Sequence, residues 1–442
     1  MAISSTYQPT RPAPRGARSA EDLAPGDIAV GVIIGRASEY FDFFVFGIAS
    51  VLVFPQVFFP FTDALTGTLY AFLAFALAFV VRPVGTLIGM EIQRRFGRSA
   101  KLTVALFLLG SSTVAMGLLP GYAAAGETAI VLLTLCRVGQ GLALGASWDG
   151  LPSLLALNAP QQRRGWYAML GQLGAPLGFF VASGVFLYVY SSLDASDFLS
   201  WGWRFPFFTA FAINVVALFA RLRLVVTHEY EKRMEEQELE PARLGELLPA
   251  QGHHIVIGAF AALASYALFH LVTVFPLSWV ALSDPQGVDD FMKMELLGAA
   301  FAAAAMPMSG LIADKVGRRS FLGTLAVAIG VFALFAPLML GGGKPGQAAF
   351  ILIGFVLLGL SYGQSAGSVT SNFLSRFRYT GAALTADLAW LLGAAFAPVV
   401  ALYLSARFGL GSLSVYLLSG VVCTLLALRV NKRLREAAVV QD

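Results

Sequence analysis

Charge is scarce in this chain, and the scarcity identifies the solvent it was built for. Only 13% of its 442 residues are Asp, Glu, Lys or Arg, and 57% are hydrophobic; soluble domains carry about a quarter charged residues. No water-soluble fold of this length hides so much apolar side chain, because much of any folded surface faces water. Cysteine is nearly absent, and Cys136 and Cys423 both fall in apolar stretches, which excludes a disulfide framework. There are four His residues and no His/Cys spacing of a metal site. No Gly-rich phosphate loop follows a strand, and no Ser–His–Asp set can be assembled. The chain therefore reads as a non-enzyme that needs no cofactor and no metal, and ATP-driven transport by this chain alone is excluded. Residues 1–26 lack an apolar core and are rich in Pro, Arg, Ser and Ala, so they read as a disordered tail, not a cleavable signal.

What is present is a succession of long apolar runs. Windows of about 20 apolar residues place helices at 27–53, 66–90, 100–119, 128–157, 164–190, 204–226, 253–282, 290–312, 320–340, 347–373, 378–405 and 411–431. The 36 Phe and 45 Gly suit packed membrane spans, where small residues let backbones approach. The expectation is an all-α membrane protein of about twelve transmembrane helices.

A pI near 9 invites a nucleic-acid reading, but the placement of the charge refutes it. Arg94, Arg95, Arg98 and Lys101, then Arg163 and Arg164, Arg221 and Arg223, Lys315, Arg318 and Arg319, and Arg429 to Arg435 all fall on one side of the span pattern. The other side holds only Arg204, Lys293, Lys344 and Arg407. By the positive-inside rule both termini are cytoplasmic. The basic charge is a topology signal.

The chain also repeats itself. One long polar interruption, near 226–252, divides it into halves of about six spans. The expected organisation is a tail at 1–26, a six-helix bundle at 27–226, a cytoplasmic linker at 227–252, a second bundle at 253–431 and a tail at 432–442. Between spans two and three runs Met90-Glu91-Ile92-Gln93-Arg94-Arg95-Phe96-Gly97-Arg98, echoed 220 residues later by Gly310-Leu311-Ile312-Ala313-Asp314-Lys315-Val316-Gly317-Arg318. Arg163-Arg164-Gly165-Trp166-Tyr167, opening span five, is echoed by Arg376-Phe377-Arg378-Tyr379-Thr380-Gly381, opening span eleven. Two pseudo-symmetric six-helix bundles imply alternating access around a site near the midplane. A membrane scaffold without transport would explain neither the duplication nor the charges buried in it.

These motifs resemble the major facilitator superfamily, and within it the metabolite:proton symporter family, which includes carriers of 2-oxoglutarate, citrate, shikimate and betaine or proline. The likeness runs from about 27 to 431. Glu39-Tyr40-Phe41-Asp42-Phe43 is similar to that family's EWYDF, Arg82-Pro83-Val84-Gly85 to RPLG, and Arg137-Val138-Gly139-Gln140-Gly141 to RxxQG. Gly202-Trp203-Arg204-Phe205-Pro206-Phe207 is similar to GWRIPF, and Arg378-Tyr379-Thr380-Gly381 to RYTG. The chain also departs from the family. Arg94 stands where Asp is usual, Met90 where Gly is, and Ser147 where span four carries Glu, with Asp149 two residues on. Ser371 and Leu374 replace an expected acid and Pro, and Asp387 replaces an amide.

Ionisable groups inside a bilayer cost about 2.5–3.5 kcal/mol each on insertion scales, so each is a functional candidate. Span one holds Arg36, Glu39 and Asp42, whose spacing of three keeps them on one broad helix face. Glu39 or Asp42 can carry a coupling proton; the competing reading is a neutralised structural pair of Arg36 and Glu39. Asp387 needs a partner or a proton, and His270 can titrate near physiological pH or simply pack. Arg137 keeps its proton, so it needs an anion, either a span-one acid or a substrate carboxylate. The resemblance implies a gating or coupling role for it. Arg36, Arg137, Tyr40, Trp148, Tyr266 and Trp390 are the candidate substrate contacts, although aromatics at span ends also serve as anchors.

Asp314, Arg318, Arg82, Arg378 and Asp149 are the candidate gating residues. Asp314 can accept from amides at a helix start, with span eleven the expected partner, whereas a cation at 94 would be repelled there. The expected function is proton symport of a small organic acid or zwitterion by a monomer in the inner membrane, with no nucleic-acid partner. The alternatives are a proton-antiporting exporter, for which Gly171 to Gly178 only partly match the exporter pattern, and a carrier-derived sensor without flux.

Overall fold

The computed structural model describes residues 25–148, 150, 155, 159–225, 239–365 and 373–441, and these are helical with no β-strand among them. Among the described residues ten helices are long and apolar enough to cross a membrane. One of them, Ala64–Leu118, is two spans joined across Gly97. Pro25–Leu52 adds a further span, although every 18-residue stretch of it contains Arg36, Glu39 and Asp42. Twelve spans result. Span one is Pro25–Leu52, and spans two and three are the arms of Ala64–Leu118. Span four is Glu127–Ala146, span five Arg164–Ser192 and span six Gly202–Arg223. Span seven is Leu263–Ser283, span eight Pro285–Val316, span nine Arg318–Leu340, span ten Gly343–Tyr362, span eleven Ser375–Phe408 and span twelve Gly411–Asn431.

The duplicated loop takes the same backbone form in both halves. Gly97 (φ 86°) and Gly317 (φ 83°), 220 residues apart, both sit in the left-handed region that side chains avoid. Neither has an atom within 4 Å of where a Cβ would lie, so the backbone angle alone demands glycine. The sequence repeat is therefore a structural repeat.

The outer faces stay apolar: Phe107, Phe219, Leu338 and Val415 are exposed, as lipid-facing residues should be when no water surrounds them. One buried apolar core runs through both halves. Span seven sits at its centre, with 94% of its apolar window buried against 33–56% for the other nine. Span one is its counterpart, buried continuously from Ser38 to Leu52.

Candidate functional site

Spans one and seven bring their aromatic faces together in the middle of the molecule, and the ring of Trp390 from span eleven is the hub. Phe79 of span two stacks on it at 5.4 Å and 12°. Tyr266 and Phe269 of span seven meet it edge-on at 5.1 and 5.0 Å. Tyr40 lies 6.1 Å away and Tyr362 of span ten also 6.1 Å. The hydroxyls of Tyr40 and Tyr362 share a hydrogen bond that joins the two halves. Close approach here is a glycine property. A Cβ on Gly178 would lie 2.6 Å from the Cβ of Tyr40, and one on Gly393 the same distance from the Cβ of Tyr266. From Trp390 to Ala395 span eleven widens into a π-helical stretch, a local departure often found at functional sites.

Beside this cage lies the ion pair of Arg82 and Asp387, Nε to Oδ1 2.9 Å, both side chains nearly buried. Arg82 belongs to the first half and Asp387 to the second. The Thr86 hydroxyl donates to Asp387 at 2.5 Å, and the Arg82 guanidinium lies 5.9 Å from the Trp390 ring centre. Asp387 has thus found the partner it required. Arg82, a candidate gating residue, stands beside the cage and joins the two halves.

The span-one carboxylates are held within their own half. Glu39 accepts from Arg36 and from Arg221 of span six, both at 2.7 Å. Asp42 accepts from Asn214 at 2.5 Å, and Asn214 in turn accepts from Ser38 at 2.9 Å. Arg137 does not pair with a span-one acid. It donates to the Phe75 carbonyl at 2.8 Å and to Gln140 at 2.7 Å, and it lies 4.1 Å from the Phe46 ring centre. No carboxylate among the described residues lies within 4 Å of it, because carbonyl lone pairs and ring faces take the place of an anion. His270 packs against Phe43, Phe75 and Phe269 at 5.1 Å each, with Nε2 unbonded among the described residues. Trp148 lies outside the cage, its ring 5.5 Å from the Arg36 guanidinium.

At the basic end of the spans the halves are latched. Asp314 accepts from the amides of Gly165 and Trp166, at 2.5 and 3.1 Å, in the first turn of span five. The expected partner was span eleven; the correction follows from which spans face each other, eight against five and two against eleven. Arg318 donates to the Arg164 carbonyl at 3.2 Å and to Gln364 at 3.3 Å, and Gln364 donates to the Gly165 carbonyl at 3.1 Å. On the two–eleven side, Tyr379 donates to Gln93 at 2.8 Å and to the Trp148 carbonyl at 2.9 Å, with Lys101 bonded to both side chains. Arg94 takes no part and pairs with Glu91 at 2.7 Å. Arg378 bonds the Phe373 carbonyl in its own half at 3.3 Å. Asp149 lies outside the described residues. No group of metal-ligating side chains occurs among the described residues.

The sequence reading missed Asn214, Arg221, Thr86, Tyr362, Gln93 and Tyr379. Asn214 and Arg221 carried a usable signal, since they are polar residues inside the apolar run of span six. Tyr362 carried none.

A family model described as "Sugar (and other) transporter" matches residues 28–238. The chain is 38% identical over 419 residues to the inner membrane metabolite transport protein YhjE of Escherichia coli K12, covering 93% of this chain and 95% of that one. The chain belongs to the major facilitator superfamily of metabolite transporters. It is also 28% identical to the shikimate transporter of E. coli K12 over 89% of this chain and 91% of that one. A crystal structure of a D-xylose–proton symporter superposes with a TM-score of 0.72 at 19% identity, covering 91% of this chain and 97% of the other, a likeness of fold. The superfamily's two-bundle architecture is the one described above, and its members are carriers, not enzymes.

Proposed function

We propose that this carrier moves a small organic acid or zwitterion across the inner membrane by proton symport and alternating access, as a monomer with both termini in the cytoplasm. The observation that carries the reading is the Arg82–Asp387 pair in the aromatic cage at the junction of the two halves. Arg82 is paired with an anion at that depth, and a substrate carboxylate can take the place of Asp387 on its guanidinium fork. The aromatic walls then cover the rest of a small planar or cationic substrate. The relatives named as an inner membrane metabolite transport protein and a shikimate transporter support the compartment and the acidic cargo.

Coupling falls to Asp42. Its described donor is the neutral amide of Asn214, and no cation pairs with it among the described residues. Protonation of Asp42 changes the bond that ties span one to span six, and Tyr40 on the same helix contacts the cage and the second half. A proton on one face of span one is thereby linked to closure on the other. The test is uptake by proteoliposomes of a panel that includes shikimate, citrate, proline and glycine betaine under imposed pH gradients of each sign. Accumulation driven by an acidic exterior supports symport, accumulation only with an acidic lumen supports an exporter, and no flux of any member overturns the carrier reading.

A further inference from the structure

Spans five and eight, one from each half, face each other along a seam that is pinned at both ends. At the basic end Asp314 holds the Gly165 and Trp166 amides. At the opposite end the Ser191 hydroxyl bonds Asp289. Between these pins span eight presents a buried stripe at Met292, Glu295, Ala299, Ala302 and Met306, the three- and four-residue steps of one helix face. Span five approaches it at Gly184, 3.9 Å from Leu296 measured from where a Cβ would lie, and buries Phe179, Ala182, Ser183 and Phe186. Glu295 has 0% exposure, and neither carboxyl oxygen has a hydrogen-bond partner among the described residues. The Ser183 hydroxyl is likewise buried and unbonded there.

Elsewhere each buried carboxyl has at least one donor: Glu39 two arginines, Asp387 Arg82 and Thr86, and Asp42 Asn214 on one oxygen, its other oxygen being unbonded among the described residues. The other titratable groups on or against span eight give Glu295 nothing. Asp289 bonds Lys293 and Ser191, Lys344 bonds Asp290, and Tyr362 bonds Tyr40. His270 and Tyr190 are ring-packed. An ionised carboxylate without a donor or counter-charge is too costly in apolar surroundings to persist, so the group is neutral when the seam is shut.

We infer that Glu295 is a proton-binding site of the second half, whose protonation allows spans five and eight to close at the Ser191–Asp289 end. It lies six residues beyond Asp289, about 9 Å along the helix, so opening at that pin wets it. The carboxylate then exchanges its proton with bulk water on that side, and the seam closes again only over the neutral acid. This assignment rests on the proton-coupled reading above, but its tests use no substrate and so fail or succeed apart from it.

The first test labels purified wild-type protein in nanodiscs with dicyclohexylcarbodiimide, which adds to protonated carboxyls in apolar sites, and locates the adduct by mass spectrometry. The expected result is an adduct at Glu295 that diminishes at least fivefold as pH rises from 6 to 9; no adduct, or one indifferent to pH, overturns the proposal. The second test cross-links S191C to D289C with Cys136 and Cys423 replaced by Ala, with Glu or Gln at 295. At high pH the Gln protein should cross-link at least threefold more than the Glu protein, and the two should agree at low pH. Equal yields at every pH would leave Glu295 a packing residue. Because wild-type labelling needs no variant, a misfolded E295Q protein cannot decide the matter by itself.

Discussion

The two halves share one design but place their carboxyls differently. In the first half Glu39 and Asp42 bond to Arg36, Arg221 and Asn214, all within the same bundle. In the second half Asp387 pairs with Arg82, and Asp314 caps span five, both across the seam. Opening the seam therefore strips partners from the second half's acids and leaves those of the first intact. The first half keeps the partners of its acids within its own bundle, whereas in the second the partners of Asp387 and Asp314 are present only when the halves are together.

The largest effect expected from this contrast follows Asp387→Asn. Breaking a buried pair by removing one partner costs about 3–5 kcal/mol, and uptake in proteoliposomes should drop below about 1% of wild type, since each 1.4 kcal/mol is tenfold. Adding Arg82→Gln should restore melting temperature without restoring transport; if it restores neither, the pair is not the source of the loss. Asp42→Asn comes next: gradient-driven accumulation should fall about tenfold, more than counterflow exchange, the signature of a lost titrating group. Equal losses in the two assays would make Asp42 structural.

Asp314→Asn keeps an acceptor for only one of the Gly165 and Trp166 amides and loses its charge, a change worth about 1–1.5 kcal/mol, so turnover should fall about tenfold. Tyr379→Phe removes the hydroxyl through which Gln93, Lys101 and the Trp148 carbonyl of the first half bond the second, and with the Arg82–Asp387 pair still in place it should slow turnover about threefold. The smallest effect belongs to Arg94→Ala. An exposed pair of its kind is worth about 0–1 kcal/mol, and turnover should stay within twofold. If Asp314→Asn and Arg94→Ala slow the carrier equally, the asymmetry between the two latches disappears.

Span count and the internal repeat were legible in the sequence because hydropathy and the Gly97/Gly317 loop depend on local chemistry. The site was legible as residue types and not as partners. Asp387 was recognised as needing a counter-ion, but Arg82 lies 305 residues away, and helix rotation and facing decide the pairing. The same facing moved the Asp314 latch from span eleven to span five. Arg137 was expected to need an anion because a guanidinium cannot discharge; the Phe75 carbonyl and the Phe46 ring that satisfy it have no signature in one dimension. Glu295 sits close behind Asp289, Asp290 and Lys293, so nothing in the sequence separates it from the polar mouth of span eight.

Proton coupling is the central claim, and a pH electrode tests it most directly. A pulse of a transported substrate is added outside de-energised proteoliposomes in lightly buffered medium, with potassium and valinomycin present to collapse any potential. The account predicts that the external medium turns alkaline as protons enter with the substrate, and that Asp42→Asn abolishes the change. Acidification, or uptake with no pH change, would contradict it.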